Sequence, residues 1–399
     1  MKQPRHKWKF RARFRANAYG WSASKLAAQR LKEALSEIKA VKRKDPVAAA
    51  EGAIILMERI WPAFAHIDTS SGALGTATSK AVDTLIEIIL AAPVDDAERE
   101  QWLERLWQAI EDDGVDYLVE VRERWGELCG SPERASRAAD ELLPTVRFVW
   151  ERSDMGYFAG TPACLSCLLA SGRYQELLDL IDTAPFVWWH YRRYGVYALE
   201  AMGKIDDAIE YAERSRGLNE PPQRIAQACE GVLLRAGRAD EAYERYAQQA
   251  NQAGTHLATC RNIIRKYPHK EPRAILQDLI ESTPFEPGKW FAAAKTLGFP
   301  DLAADLAHRS PVNIETLLRA SRDFAETNAG FARAAATAAL RWMSEGQFYE
   351  ITAADVLRAR KLALDAAEAE GSLEETKRYI CDLAASESTD EFVREYLRM

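Results

Sequence analysis

The sequence predicts an all-α protein, an α-solenoid of stacked helical hairpins, and three observations predict it. Apolar residues recur at helical spacing between acid-rich or Ser/Thr starts and glycine stops. After Pro93 no alternating stretch of strand length occurs. From about residue 156 a turn signature, with glycine at four of its five copies and His269 at the other, returns every 29 to 34 residues, the mark of a repeat array.

Composition agrees with this. The 399 residues are 47% hydrophobic and 28% charged, a balance that suits a large, ordered helical chain and excludes a fibrous or disordered one. Apolar runs such as IILAAPV at 88–94 fall far short of the roughly 20 residues of a membrane span, so no membrane partner is expected. Charge is unevenly placed: residues 1–45 carry +11, with Glu33, Glu37 and Asp45 as their only acids, leaving −18 for the remainder. A basic head on an acidic body points either to nucleic acid or to neutralisation by the chain itself. The run at 95–124, with 11 acids against four Arg, is the obvious internal partner. Six scattered cysteines and the lack of a secretory signal lead us to expect reduced thiols and a cytoplasmic location. The N-terminal cations scatter around a helical wheel, which disfavours a transit peptide.

The chain reads as a basic aromatic arm (1–21), an N-terminal helical region (22–155), repeats (156–310) and a C-terminal helical cap (311–399). In the arm, RHKWKFRARFR at 5–15 alternates cations with other residues, which predicts an extended strand-like segment with Trp8, Phe10 and Phe14 on one side. Three fates are open: an internal strap whose cations meet the acids at 95–124, a nucleic-acid clamp, or a partner-binding arm. The internal strap ranks first. As a clamp, Lys7, Lys9, Arg11, Arg13 and Arg15 would neutralise phosphates while Trp8 and Phe10 stack on bases.

Next, SKLAAQRLKEALSEIKAVKRK predicts a helix capped by Ser22 or Ser24, with Ala27, Ala28, Leu31, Ala34, Leu35, Ile38 and Val41 on its inner face and Lys25, Lys32, Lys39 and Arg43 on a solvated one. Asp45-Pro46 predicts the start of a second, buried helix. TSSGALGT at 69–76 reads as a loop with a Ser or Thr cap and a helix from Thr76 to Ala91. Three further helices follow, in DDAEREQWLERLWQAIEDDG, VDYLVEVRERWGELCG and SPERASRAADELLPTVRFVW.

In the repeats, LASGRYQELL, EAMGKIDDAI, LRAGRADEAY, KYPHKEPRAI and KTLGFPDLAA align Gly172, Gly203, Gly237, His269 and Gly298. Five residues after each comes Leu177, Ala208, Ala242, Ala274 or Ala303. A left-handed turn followed by a small residue lets paired helices approach closely. This stretch resembles tetratricopeptide repeats, with Gly195 and Gly231 one residue to either side of the family's register. The resemblance implies stacked hairpins whose first helices line a concave surface. Separately, RFRANAYGWSASKLAAQRLKEALSEIK resembles the start of an uncharacterised bacterial family of helical proteins. In the C-terminal cap, Thr352 reads as an N-cap and GSLEET repeats the turn at Gly371.

Candidate chemistry is sparse. Cys164-Leu-Ser-Cys167 sits in a repeat helix without a second ligand pair, since His256 and Cys260 have no zinc-finger spacing to it, so these thiols read as core. DTSSGALGTATSK at 68–80 has the small residues of an anion loop in the wrong spacing; Asp68, Ser70, Ser71 and Lys80 are its polar group. No catalytic triad, cofactor motif or metal motif emerges. The expected function is therefore a non-enzymatic scaffold that binds a protein or peptide partner on its concave surface, without cofactor. Trp189, His190, Arg192 and Arg193 in FVWWHYRRYGVY are its candidate contacts, since Trp, Tyr and Arg dominate interface hot spots. Nucleic-acid binding through the basic N-terminal arm and helix, residues 5–44, is the alternative.

Overall fold

A computed structural model describes residues 6–152, 157–217, 222–348 and 350–398. Among them are 22 α-helices, two short 3-10 helices and no strand, so the protein is all-α. Contacts divide the chain into two units, Met1–Pro221 and Pro222–Met399, a division that falls inside the stretch expected to form the repeats.

The first unit begins with the arm, which packs on its own body. It is not extended: Lys9–Ala12 form a 3-10 turn, because the Glu37 carboxylate accepts from Lys9 N (2.7 Å) and Phe10 N (3.2 Å) and anchors the turn's start. Trp8 and Phe10 are buried, and Phe14 is 1% exposed. The rings continue as a ladder, Phe14 to Phe64 at 5.6 Å and Phe64 to Tyr117 at 5.9 Å. The Trp8 indole lies on Gly52, where any Cβ would fall 2.3 Å from the ring. Arg59 donates to Phe14 O (3.1 Å) and Asn17 N–H to Pro62 O (2.8 Å), locking the far end. Among the described residues the strap's acidic partners are Glu33 and Glu37, and none of its hydrogen bonds or ion pairs reaches the run at 95–124. That run spends Asp95 on a helix cap and Asp113 on the Val115 and Leu118 amides.

Helix α1 (Ser24–Lys42) has Ala23 as N-cap without a side-chain bond, so neither Ser22 nor Ser24 caps it. Of the face the spacing marks, Ala27, Leu31, Ala34 and Ile38 are buried and Ala28, Leu35 and Val41 are half-buried at its edges, while Lys25, Lys32, Lys39 and Arg43 are exposed. In α2 (Pro46–Phe64) Asp45 accepts from Ala48 N at 2.9 Å and Pro46 takes the first turn, where its missing N–H costs nothing. Helix α3 (Ala73–Leu90) starts three residues before Thr76, because left-handed Gly72 (φ 68°) turns the chain into it. Thr76 instead bonds back to Gly72 O at 3.0 Å; Gly72 holds the N-cap position, and Ser71 Oγ just before it accepts from Ala73 N at 3.5 Å. Helix α4 (Asp96–Asp112) is capped by Asp95.

VDYLVEVRERWGELCG forms two short helices, α5 (Val119–Glu123) and α6 (Trp125–Leu128), rather than one. Gly126 explains the break. Its N–H donates to Ser166 Oγ at 3.0 Å, and a Cβ there would stand 2.2 Å from Ser166 O. Helix α7 (Pro132–Glu151) is capped by Ser131. The unit ends with α8 (Thr161–Ala170), α9 (Tyr174–Asp182), α10 (Trp189–Ala201) and α11 (Ile205–Arg214). Helix α8 packs on α7, α9 and α10, and α10 packs on α11.

The second unit comprises α12 (Pro222–Arg235), α13 (Ala239–Ala250), α14 (His256–Lys266), α15 (Pro272–Glu281), a 3-10 turn (Pro287–Trp290), α16 (Phe291–Thr296) and α17 (Pro300–Arg309). Then come α18 (Ile314–Phe324), α19 (Ala329–Ser344), α20 (Ala353–Glu370), α21 (Leu373–Ala385) and α22 (Glu391–Arg398). From α14 onward packing runs mainly to neighbours in chain order, with α14 on α15 and α16, and α18 on α19 and α20. Thr352 and Asp355 form a reciprocal cap at α20.

One turn recurs in both units. Gly172, Gly203, Gly237, Gly298 and Gly371 are all left-handed. In each, the next residue's N–H reaches five residues back, as Arg173 N to Leu168 O (3.0 Å) and Phe299 N to Ala294 O (3.0 Å). This closes the preceding helix with a Schellman bond. Five residues on, Leu177, Ala208, Ala242 and Ala303 are buried. The fourth turn differs: α14 ends at Tyr267 without a left-handed residue, and Pro272 opens α15. Lys270 therefore takes the position expected of His269, and Ile275 is buried in place of the exposed Ala274.

Candidate functional site

The aromatic and basic stretch at 186–197 straddles the loop after α9 and the first turns of α10. His190 and Arg193 lie three residues apart on one helical face. Both reach the Glu123 carboxylate at the end of α5, at 3.2 Å from His190 Nδ1 and 2.7 Å from Arg193. Tyr194 OH donates to Glu123 O at 2.9 Å, so three side chains of α10 converge on one residue. Burial opposes the Arg193 charge, but the neighbouring Tyr194 and Glu123 outweigh it and raise the guanidinium pKa. Arg192 faces elsewhere, 3.0 Å from Asp182 and 2.9 Å from Tyr211 OH.

Trp189 points inward and is buried, and the two arginines are engaged by acids. The open surface lies just upstream. Phe186, Val187 and Trp188 are 42%, 50% and 41% exposed. The Phe186 and Trp188 rings stack at 5.0 Å and 13°. Trp188 rests on Tyr191 at 5.5 Å, and Tyr191 on Trp150 at 5.6 Å. The exposed pair is thus the outer end of an aromatic column rooted in α7. Burial pushes the Tyr191 hydroxyl up to about 12. Sequence reasoning placed the contacts on the helix itself and missed residues 186–188, which precede it and belong to no helical face. The three consecutive large apolar residues after Pro185 were the available signal.

In the strap, Lys7, Lys9, Arg11, Arg13 and Arg15 are exposed, whereas Trp8 and Phe10 are buried. The cations could meet phosphates, but those two rings cannot stack on bases. Arg13 pairs with Glu33. Arg224, Arg261 and Arg265, further basic residues of the repeat stretch, belong to the second unit and are exposed.

Cys164 and Cys167 are fully buried in α8. Burial lifts the Cys164 thiol to about 12, and the adjoining Cys129, with burial, raises Cys167, so neither offers a thiolate. Cys260 is likewise buried and raised to about 11. Asp68 accepts from Ser70 N at 2.9 Å, a local turn, and Lys80 stands exposed on α3. Among the described residues no group of three or more His, Cys, Asp or Glu could hold a metal ion. Nor is any helix among them long and apolar enough to cross a membrane.

Two acids near Glu123 are electrostatically poised. Burial raises Asp83, against the pull of Arg124 and with repulsion from Glu123 and Glu87. Burial also raises Glu120, against a bond to Ser79 and with repulsion from Asp83 and Glu123. Such groups hold protons in the folded state that the unfolded chain releases, so their contribution is present at low pH and is lost as pH rises through the folded pKa. Glu120→Gln is expected to raise the thermal midpoint at about pH 7.5 and to leave it nearly unchanged below about pH 3, where the carboxyl is protonated in both states. Thermal melts across pH check this, and an equal shift at both ends refutes it.

The sequence matches no protein-family model and no curated protein.

Proposed function

We propose that this chain is a non-enzymatic scaffold that binds a protein or peptide partner, and that its hairpins form a tetratricopeptide-like α-solenoid. The recurring Schellman turns and the buried residue five positions beyond them support the repeat reading, since hairpins of this kind bury their apolar sides only against neighbours. The observation that carries the binding reading is the stacked, half-exposed pair Phe186 and Trp188 with Val187 between them. Contiguous exposed apolar side chains mark interaction sites. Rings already braced by a column behind them lose little freedom on contact. Charge lies close by at Arg192, Arg193 and His190, whose links to Asp182 and Glu123 hold α10 in place beneath the rings. The contact surface we favour is accordingly residues 186–188 with His190 at its edge, in place of Trp189.

Selection of peptides from a display library against the intact protein is expected to enrich sequences that bind this surface. The double variant Phe186→Ala/Trp188→Ala should weaken them roughly 10- to 100-fold, as loss of hot-spot aromatics does, without lowering the thermal midpoint. Enriched peptides indifferent to the double variant, or no enrichment, would refute the reading.

A further inference from the structure

We propose that the strap and α1 together form a binding surface for single-stranded nucleic acid, with Trp21 as its stacking platform. Residues 6–45 carry far more cations than their own acids can neutralise. All three acids of this stretch are committed internally: Glu33 to Arg13 and Arg30, Glu37 to the backbone amides of Lys9 and Phe10, and Asp45 to the cap of α2. On α1, the side chains of Lys25, Lys32, Lys39 and Arg43 are exposed and make no ion pair or hydrogen bond among the described residues. The same holds for the side chains of Lys7, Lys9, Arg11 and Arg15 on the strap. Internal pairing therefore leaves a surplus of positive charge facing solvent.

The arrangement is ordered. Lys25, Lys32 and Lys39 recur every seven residues, about 10 Å apart along one line of the helix, and Arg43 extends that line to about 27 Å. The strap runs antiparallel beside α1, Lys9 against Glu37 and Arg13 against Glu33. At about 100° per residue, those two acids sit roughly 120° around the axis from the lysine line. Strap and lysines thus border one outward side of α1. Backbone contacts, Gly52 and the aromatic ladder hold the strap in place, so its cations are presented without an ordering cost at binding.

A ring completes the surface. Trp21, four residues before Lys25, is 71% exposed, although its carbonyl is fixed by Asp68 N at 2.9 Å. A rigid backbone carrying an open indole beside a cationic track is the combination that holds unpaired bases and their phosphates. A duplex would hide its bases from that ring, and so a single strand is the fitting ligand. An anionic membrane fits less well. Insertion needs an apolar face, and among the described residues of strap and α1 the large apolar side chains exposed are Trp21 and Leu26 at one end of α1, while Trp8, Phe10 and Phe14 are buried.

The test is fluorescence anisotropy with labelled oligo(dT) and oligo(U) of about 20 nucleotides, longer than the roughly 4–16 that one single-strand-binding fold covers. Titrations run over a range of salt concentrations on the intact protein. The wild type is expected to bind with an affinity that falls steeply with salt. Lys25→Ala/Lys32→Ala/Lys39→Ala should flatten the log–log slope by about 2, because each single-strand phosphate contact contributes about 0.7. Trp21→Ala should weaken binding roughly 5- to 100-fold while leaving the slope unchanged. All four side chains are exposed, and an unchanged thermal midpoint confirms that the variants are folded. The proposal is overturned by absence of binding at low salt, by binding insensitive to these variants, or by Trp21-dependent binding to phosphatidylserine vesicles without binding to oligonucleotide. Residues 186–188 take no part, so this outcome and that of the peptide selection are independent.

Discussion

Phe14→Ala is expected to destabilise the first unit by roughly 3–5 kcal/mol, the range for removing a buried aromatic side chain. Phe14 is 1% exposed and meets three rings, Phe10 at 6.3 Å, Tyr19 at 6.2 Å and Phe64 at 5.6 Å. Its loss opens a cavity at the junction of strap, α1 and α2, and the neighbouring rings cannot close it without leaving their own contacts. Gly52→Ala attacks the same docking from below, since the new methyl lies 2.3 Å from the Trp8 ring and either the indole or α2 must move. Both variants should expose the strap's Lys and Arg bonds to trypsin at concentrations that leave the wild type intact. Urea titration followed by tryptophan fluorescence gives the stability change. A Phe14→Ala midpoint equal to the wild type would show that the strap contributes nothing to the fold.

In the second unit the corresponding large effect is expected at Glu230. This carboxylate on α12 is fully buried. It accepts from Asn251 Nδ2 (2.6 Å), Tyr267 OH (2.7 Å) and Lys266 Nζ (2.6 Å), tying α12 to the segments that end α13 and α14. Burial, with the carboxylate beside it, raises the Tyr267 hydroxyl well above its ordinary value, so Tyr267 remains a donor. Glu230→Ala leaves that buried hydroxyl without its acceptor and creates a void, whereas Lys266, 40% exposed, turns to water. The expected cost is roughly 2–4 kcal/mol. Tyr267→Phe in the Glu230→Ala background should recover part of it, because the stranded hydroxyl is then gone. Additive effects of the two substitutions would sink this account.

Helix content and several helix starts were legible because they follow from neighbours in sequence. Asp45, Asp95, Ser131 and Thr352 cap where their side chains reach the next turn's amides, and α1 buries the face its apolar spacing marks. What escaped depended on distant residues. The break between α5 and α6 is set by Ser166, 40 residues downstream of Gly126, and alternation in the arm gave way to a 3-10 turn because Glu37 gathers two of its amides. The shift from His269 to Lys270 came from one extra residue before Pro272, which a glycine-based alignment could not register. At the candidate site, residue types gave the neighbourhood but not the exposure. Trp189 and Trp188 are adjacent and chemically alike, and the start of α10 sends one inward and leaves the other in solvent.

The strap also imposes an order on biosynthesis. Its seat is made by residues up to Phe64, so a nascent chain displays the aromatic cationic segment first and can hide it only after some fifty further residues have been polymerised. At roughly 5–20 residues per second, that interval lasts several seconds. Throughout it this segment is both sticky and positively charged, and completion of the first two helices is the step that buries its rings.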